Sequence, residues 1–444
     1  MKYTLGIDTG TTSVSMAAVN SSCEVIDSIT VNHEAFIQGD FPESRVQSPE
    51  RIREIVMAGL EALSQKYGQP SAIGFTGQMH GILYVNAEGE AVSPLYTWQD
   101  ISASIPISSR GGKTATQILH EHGLKCSPGY GLGTHLYLQE AGKIPQCASK
   151  ITTISDYIAM KLCGNEAPVL SPDMAAGWGC FDVKGREFLV DALKTAGVDT
   201  SFLPEIMKGY EVIGLTKSGV PVVCSMGDNQ ASFMGAVDEP DKTLLLNVGT
   251  GSQVSFMTRE FADVQGDIEL RPYGDAYVLA GAALCGGRAY AMLEAFYREI
   301  AGHECYGIMA RHAEEFLKSH GLGNAWNVDT RFQGTRSDPS ITGSIQGITA
   351  DNFTPGAMTV GVIRGILEEL RGMYEAMTVL TGRKACILVG SGNGIRKNEI
   401  MRRIAEEIFG LEVRVSEYQE EAARGCALCA VEKTDTKCFT TSHS

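Results

Sequence analysis

Apolar positions along this chain keep two rhythms, which trade places from one segment to the next. Near the N-terminus YTLGID, SVSMAAV and EVIDSITVNHE are short, β-branched runs parted by turn residues, which predicts three strands. A helical period follows: Ser48 stands as N-cap, Pro49 lies in the first turn, and Ile52, Ile55, Val56, Leu60 and Leu63 share one face. SAIGFTGQMHG returns to a strand that ends in a glycine turn. Much later Thr354 and Pro355 open a long helix whose stripe runs Ile363, Ile366, Leu367, Leu370, Met373, Tyr374 and Met377. ACILVGSGNGIRKNEIMRRIAEEIFG then reads as strand, glycine turn and helix. Strands and helices mixed in this order predict an α/β protein.

One unit of the pattern occurs twice. YTLGIDTGTTSVSMAAV and TLLLNVGTGSQVSFMT are both strand, Gly-Thr turn, strand. The recurrence predicts two domains of related design, each offering a hydroxyl-rich loop, with a ligand cleft between them. Length agrees, since 444 residues exceed the ~250–300 at which single cores stop growing.

Charge narrows the function. Lys and Arg total 37 against 52 for Asp and Glu, a balance of −15 that argues against nonspecific nucleic-acid binding. No run approaches the ~18 apolar residues of a membrane span and no signal segment opens the chain, so a cytoplasmic protein is expected. The 12 cysteines are scattered, mostly within apolar stretches; Cys426 and Cys429 form one C-x-x-C on a predicted helix, both facing its packed side. A homodimer is one of the oligomeric states left open. The segment KTDTKCFTTSHS after Glu432 lacks periodicity and is expected to fray.

The turns carry the candidate chemistry. Gly6 and Gly10 permit tight bends, and Thr9, Thr11 and Thr12 with the intervening N–H groups would form a donor-lined pocket for phosphate oxygens. A polar hairpin turn is the plainer alternative. The late GSGNG lacks the third glycine of a dinucleotide fingerprint, yet a glycine turn at a strand end can admit a flat base or a ribose. Asp228, which follows the apolar strand VPVVCSM, reads equally as a helix-capping or a catalytic carboxylate on its own.

Together these motifs resemble the FGGY carbohydrate kinases of the actin and hexokinase-like (ribonuclease H-like) superfold. DTGTT resembles the family's first phosphate loop, VGTGS at Val248 to Ser252 its second, GDNQASFMGA the segment with its catalytic aspartate, and GSGNGIRKNEIMRRIAEEIFG its adenosine segment. The match runs in family order over essentially the whole chain. It implies two α/β domains, 1–225 for sugar and 226–435 for nucleotide, around a central ATP/sugar cleft. TGQMHGI, TWQD, GYGLGTHLYL, SDYIAMKLCG and SPDMAAGWGCFD are most similar to the family's sedoheptulose kinases, with its xylulose kinases next.

The resemblance also assigns roles. Asp228 is the expected base on the sugar hydroxyl. Asp8, Gly10, Thr11, Thr12, Gly249, Thr250, Gly251 and Ser252 are expected at the phosphates of ATP, with Asp8 on the waters of a Mg²⁺ ion. Gly390, Gly392, Asn393 and Asn398 are expected at adenosine, and Gln78, Met79, His80, Trp98, Gln99, Asp100 and Asn229 at the sugar. Two positions depart from the family: Ser15 and Ser102 stand where basic residues are common. An actin-like or chaperone-like ATPase without a sugar is the alternative from another class, and it gives no reason for TGQMHG, TWQD and Asp228 to coexist.

Overall fold

The computed structural model describes residues 2–434 apart from 336, 337 and 339, so the last ten residues of the segment expected to fray lie outside the described residues. Each unit is built on one mixed sheet. In the first, the hairpin Tyr3–Thr9 and Ser13–Asn20 is antiparallel, Val25–Asn32 extends it on one side, and Ile73–Gly77 joins parallel to Tyr3–Thr9 on the other. Pro221–Val223 and Met226–Gly227 then add in parallel to Ile73–Gly77. In the second, Thr243–Val248 and Ser252–Thr258 form the antiparallel hairpin, Ala276–Ala283 extends it, and Ile387–Ser391 joins parallel to Thr243–Val248. The repeated strand–Gly-Thr–strand pattern therefore occupies the same place in two sheets of one plan.

The helices start where local chemistry says they should. Ser48 accepts from the N–H of Arg51 and caps Pro49–Tyr67, with Ile52, Val56 and Leu63 buried. Thr354 caps Pro355–Thr381 by accepting from Ala357 N, and six of the seven expected stripe residues are buried, Met373 being half-buried. No helix among the described residues is long and apolar enough to cross a membrane.

Compactness divides the chain differently from a break at 225. One unit comprises the described residues of Met1–Gly235, Pro272–Asp275 and Tyr418–Ser444, the other Ala236–Arg271 and Ala276–Glu417. The reason is the helix Glu421–Thr434, which packs on Tyr3–Thr9, Ser13–Asn20 and Ile73–Gly77. A methyl group on Gly6 would overlap the carbonyl of Ala423, and one on Gly74 that of Cys426. The same helix crosses Asp228–Ala236 through a reciprocal pair: Gly425 lies on the carbonyl of Ala231 and Gly235 on that of Glu421. Cys426 and Cys429 are free thiols buried on this packed face.

Gly425→Ala is expected to destabilise the protein by ~1–3 kcal/mol or more, because a carbonyl rather than a flexible side chain must give way. Gly372→Ala, in an open position of Pro355–Thr381, should have the opposite sign, about 0.5–1 kcal/mol of stabilisation. Urea unfolding of the two variants checks the contrast.

Candidate active site

In the first unit the loop after Tyr3–Thr9 is held from behind. Gln47 Nε2 donates to the carbonyl of Thr11 at 2.7 Å, and His33 N donates to that of Thr12 at 3.1 Å. Trp98 Nε1 donates to Thr11 Oγ1 at 2.8 Å. Gly10, Thr11 and Thr12 are thus presented as a fixed turn, whereas Thr9 departs from expectation. Its hydroxyl is buried and donates to Thr76 O, because the strand alternation turns it inward.

Asp8 sits at the end of the same strand. Its Oδ1 is buried without a hydrogen-bond partner among the described residues. Burial, followed by the nearby carboxylates of Asp228 and Glu420, pushes its pKa up from 3.8 to about 7. Ser15, paired with Asp8 across the hairpin, places its hydroxyl 3.1 Å from Thr30 Oγ1, and Thr30 donates to Glu420 at 2.8 Å. At the position expected to depart in charge, this chain has a hydroxyl chain leading to an acid.

Asp228 is the first residue of its helix and is exposed, with Oδ1 accepting from Asn229 N at 2.7 Å. Asn229 Oδ1 is buried without a partner among the described residues, as is Gln78 Oε1. Gln78 donates through Nε2 to Gln47 Oε1 at 3.0 Å. Trp98 keeps 47% of its surface exposed, and Gln99 is exposed on a cavity of about 790 Å³ with Phe36, Ile37 and Arg45. His80 stacks on Tyr130 at 4.5 Å and bonds through Nδ1 to the carbonyl of Gly177.

Two expected sugar contacts are placed otherwise. Met79 is buried in a core cluster with Ile82, Met174 and Trp178. Asp100 is wholly buried, and four donors occupy its carboxylate: Ser44 Oγ, Arg45 N, and both the N–H and hydroxyl of Ser102. A carboxylate accepting this many bonds organises its loop, and Ser102 is its partner in that task.

The second unit holds a cavity of about 950 Å³. Gly249, Thr250, Gly287, Arg288, Asn393 and Asn398 line it, together with Tyr290, Tyr306, Arg311 and Lys397. Thr250 and Gly251 are exposed, and Ser252 Oγ is buried without a partner among the described residues. The turn is fixed by Gly249 N donating to Gly251 O at 2.9 Å and Arg288 N to Thr250 O at 2.9 Å. Gly392, at φ 79°, opens the helix Gly392–Lys397 against the carbonyl of Val248. Asn398 caps Glu399–Phe409 by accepting from Met401 N at 3.0 Å. Gly390 differs from expectation: it is a buried strand residue whose missing side chain makes room for Ile395 and Val413. Sequence reasoning missed Tyr290, Tyr306 and Arg288, although the strand-ending LCGGRAY repeats the glycine-turn signal used elsewhere.

Two mixed α/β sheets of one plan, each with a hydroxyl-bearing turn at its hairpin, define a two-domain fold of the actin and hexokinase type. Residues 3–235 match the N-terminal domain and residues 244–432 the C-terminal domain of the FGGY family of carbohydrate kinases, and the chain belongs to that family. It is similar to a sedoheptulokinase of Mus musculus, 26% identical over 97% of both chains. It is also similar to a xylulose kinase of Lactococcus lactis, 25% identical over 97% of this chain and 88% of that one. The fold is shared with the crystal structure of xylulose kinase from Rhodospirillum rubrum, at a TM-score of 0.84 and 18% identity over 98% of this chain and 90% of that one.

Buried acids make stability pH-dependent. Burial raises Asp156 from 3.8, and Glu369 from 4.5, to about 7, as it does Asp8. Between those limits the folded protein holds protons that the unfolded chain has released, so stability is expected to fall as pH rises through that window. Thermal unfolding of the ligand-free protein from about pH 5 to pH 8 should show the decline, and Asp8→Asn should flatten it.

Proposed function

We propose that this carbohydrate kinase transfers the terminal phosphate of ATP to a terminal hydroxyl of a ketose, with sedoheptulose the first choice of substrate and xylulose the second. The product would be sedoheptulose 7-phosphate. The observation that carries the reading is the presence, within one unit, of an exposed carboxylate at Asp228, amide oxygens of Gln78 and Asn229 without a partner among the described residues, and an exposed indole at Trp98. Polyols need donors, acceptors and one apolar platform, and each hydroxyl left unpaired in a closed site costs ~1–3 kcal/mol. Choice of the seven-carbon sugar rests on the full-length similarity to sedoheptulokinase.

In this reading Asp228 accepts the proton of the sugar hydroxyl as that oxygen attacks phosphorus, and its Oδ1, fixed by Asn229 N–H, sets the direction of approach. Gly249, Thr250, Gly251 and Ser252 receive the nucleotide phosphates, and Gly10, Thr11 and Thr12 face the group in transfer. Adenosine enters the 950 Å³ cavity, where Tyr290 and Tyr306 offer ring faces and Asn393 and Asn398 polar edges. The Oδ1 of Asp8, without a partner among the described residues, fits a hydrated Mg²⁺, which when bound would neutralise phosphate charge. The setting we propose is the cytoplasm, where Mg-ATP is supplied.

A coupled ADP-release assay across a ketose panel should give its highest kcat/KM on sedoheptulose; a higher value on xylulose would reverse the order. Asp228→Asn should lower kcat by ~10²–10⁴ while ATP binding by calorimetry changes less than about twofold. Sugar phosphorylation retained by that variant would refute the base assignment.

A further inference from the structure

Ser225 to Gly227 lead directly into Asp228, and they are gripped in an unusual way. Met226–Gly227 pairs in parallel with Thr76–Gly77 along one edge. Successive N–H groups of an extended strand point to opposite edges, so those of Ser225 and Gly227 share the edge away from that partner. Two carboxylates stand there where a neighbouring strand would otherwise be. Asp156 Oδ1 accepts from Ser225 N at 3.2 Å, and Asp173 Oδ2 accepts from Gly227 N at 2.7 Å.

Both acids are almost wholly enclosed, Asp156 at 2% and Asp173 at 1% exposure. Each is oriented in turn: Thr153 Oγ1 donates to Asp156 Oδ2 at 2.6 Å, Tyr210 OH to Asp173 Oδ2 at 3.0 Å, and Ser171 Oγ to Asp173 Oδ1 at 2.5 Å. The Ser171 hydroxyl also reaches the carbonyl of Ser225 at 2.6 Å. Every hydrogen-bond partner named for the two carboxylates is an uncharged N–H or O–H donor. Burial raises the pKa of both, so the arrangement is costly as a pure packing solution.

We propose that Asp156 and Asp173 are positioning residues for phosphoryl transfer, acting as a substitute strand edge that fixes the peptide units before Asp228 and hence the direction of its carboxylate. The inference rests on the reading of Asp228 as the base. Asp156 lies in the first turn of the helix Ile154–Cys163 and Asp173 in that of Pro172–Ala176, so the peptide units before Asp228 are held by two separate elements.

The test uses Asp173→Asn, Asp156→Asn and the milder Ser171→Ala in the full chain, with thermal unfolding, calorimetric ATP binding, and kcat and KM for both substrates. Misplacing a reacting group by ~1 Å can cost about a hundredfold in rate. The expected result for Asp173→Asn is a kcat loss of about tenfold to a hundredfold, with both KM values within about twofold. Ser171→Ala, which keeps both acids, should lose several-fold in kcat alone, and it decides the question if the acid variants do not fold. Unchanged kcat in the folded variants, or a loss confined to KM, overturns the proposal even while Asp228→Asn is inactive. Full activity in Asp228→Asn overturns the base assignment, and the positioning role falls with it.

Discussion

Contact without side chains between the helix Glu421–Thr434 and its neighbours is the constraint on which the first unit depends. Gly6 and Gly74 bring it onto the two central strands, and the Gly235–Gly425 pair brings it onto the helix that begins at Asp228. Interiors are packed to crystal-like density, so a methyl group at such a point is a displacement of backbone, felt along the whole helix. Asp8 lies at the end of one strand in this stack and Asp228 at the end of the crossing helix. Their separation is therefore set by backbone packing, which a single rotamer cannot relax.

Charge is the second theme. Asp8, Asp156 and Asp173 are all carboxylates held in places that disfavour their ionised form, yet their partners differ. Asp156 and Asp173 are surrounded by donors, whereas Asp8 has an oxygen that no described residue serves. Asp100 shows how a fully served carboxylate looks: four donors, two from Ser102 beside it and two from the distant Ser44 and Arg45. Three of these carboxylates have donors that order the chain, and they stand apart from Asp8, whose Oδ1 has no partner among the described residues.

Much of this was legible in the sequence because it was written locally. The Ser48 and Thr354 caps, the stripes they introduce and the twin hairpin turns each depend on neighbours within a few residues, and they stand where the spacing put them. The inward turn of Thr9, the loop role of Asp100 and the core placement of Met79 depend on residues far away in the chain, which periodicity does not encode. Asp156 and Asp173 were hidden for the same reason. Each follows a capping hydroxyl, Thr153 or Ser171, so each reads locally as an ordinary first-turn acid.

The first unit is assembled from distant stretches, since 236–271 and 276–417 belong to the other. During synthesis the sheet of Tyr3–Thr9 and Ile73–Gly77 leaves the ribosome long before the helix that covers its glycine face. At ~5–20 residues per second the delay is on the order of ten seconds or more. Until then the strands lack the helix that packs on Gly6 and Gly74 in the folded unit. A chain that ended before residue 421 would carry all of 236–417 and yet lack the helix on which Tyr3–Thr9 and Ile73–Gly77 pack.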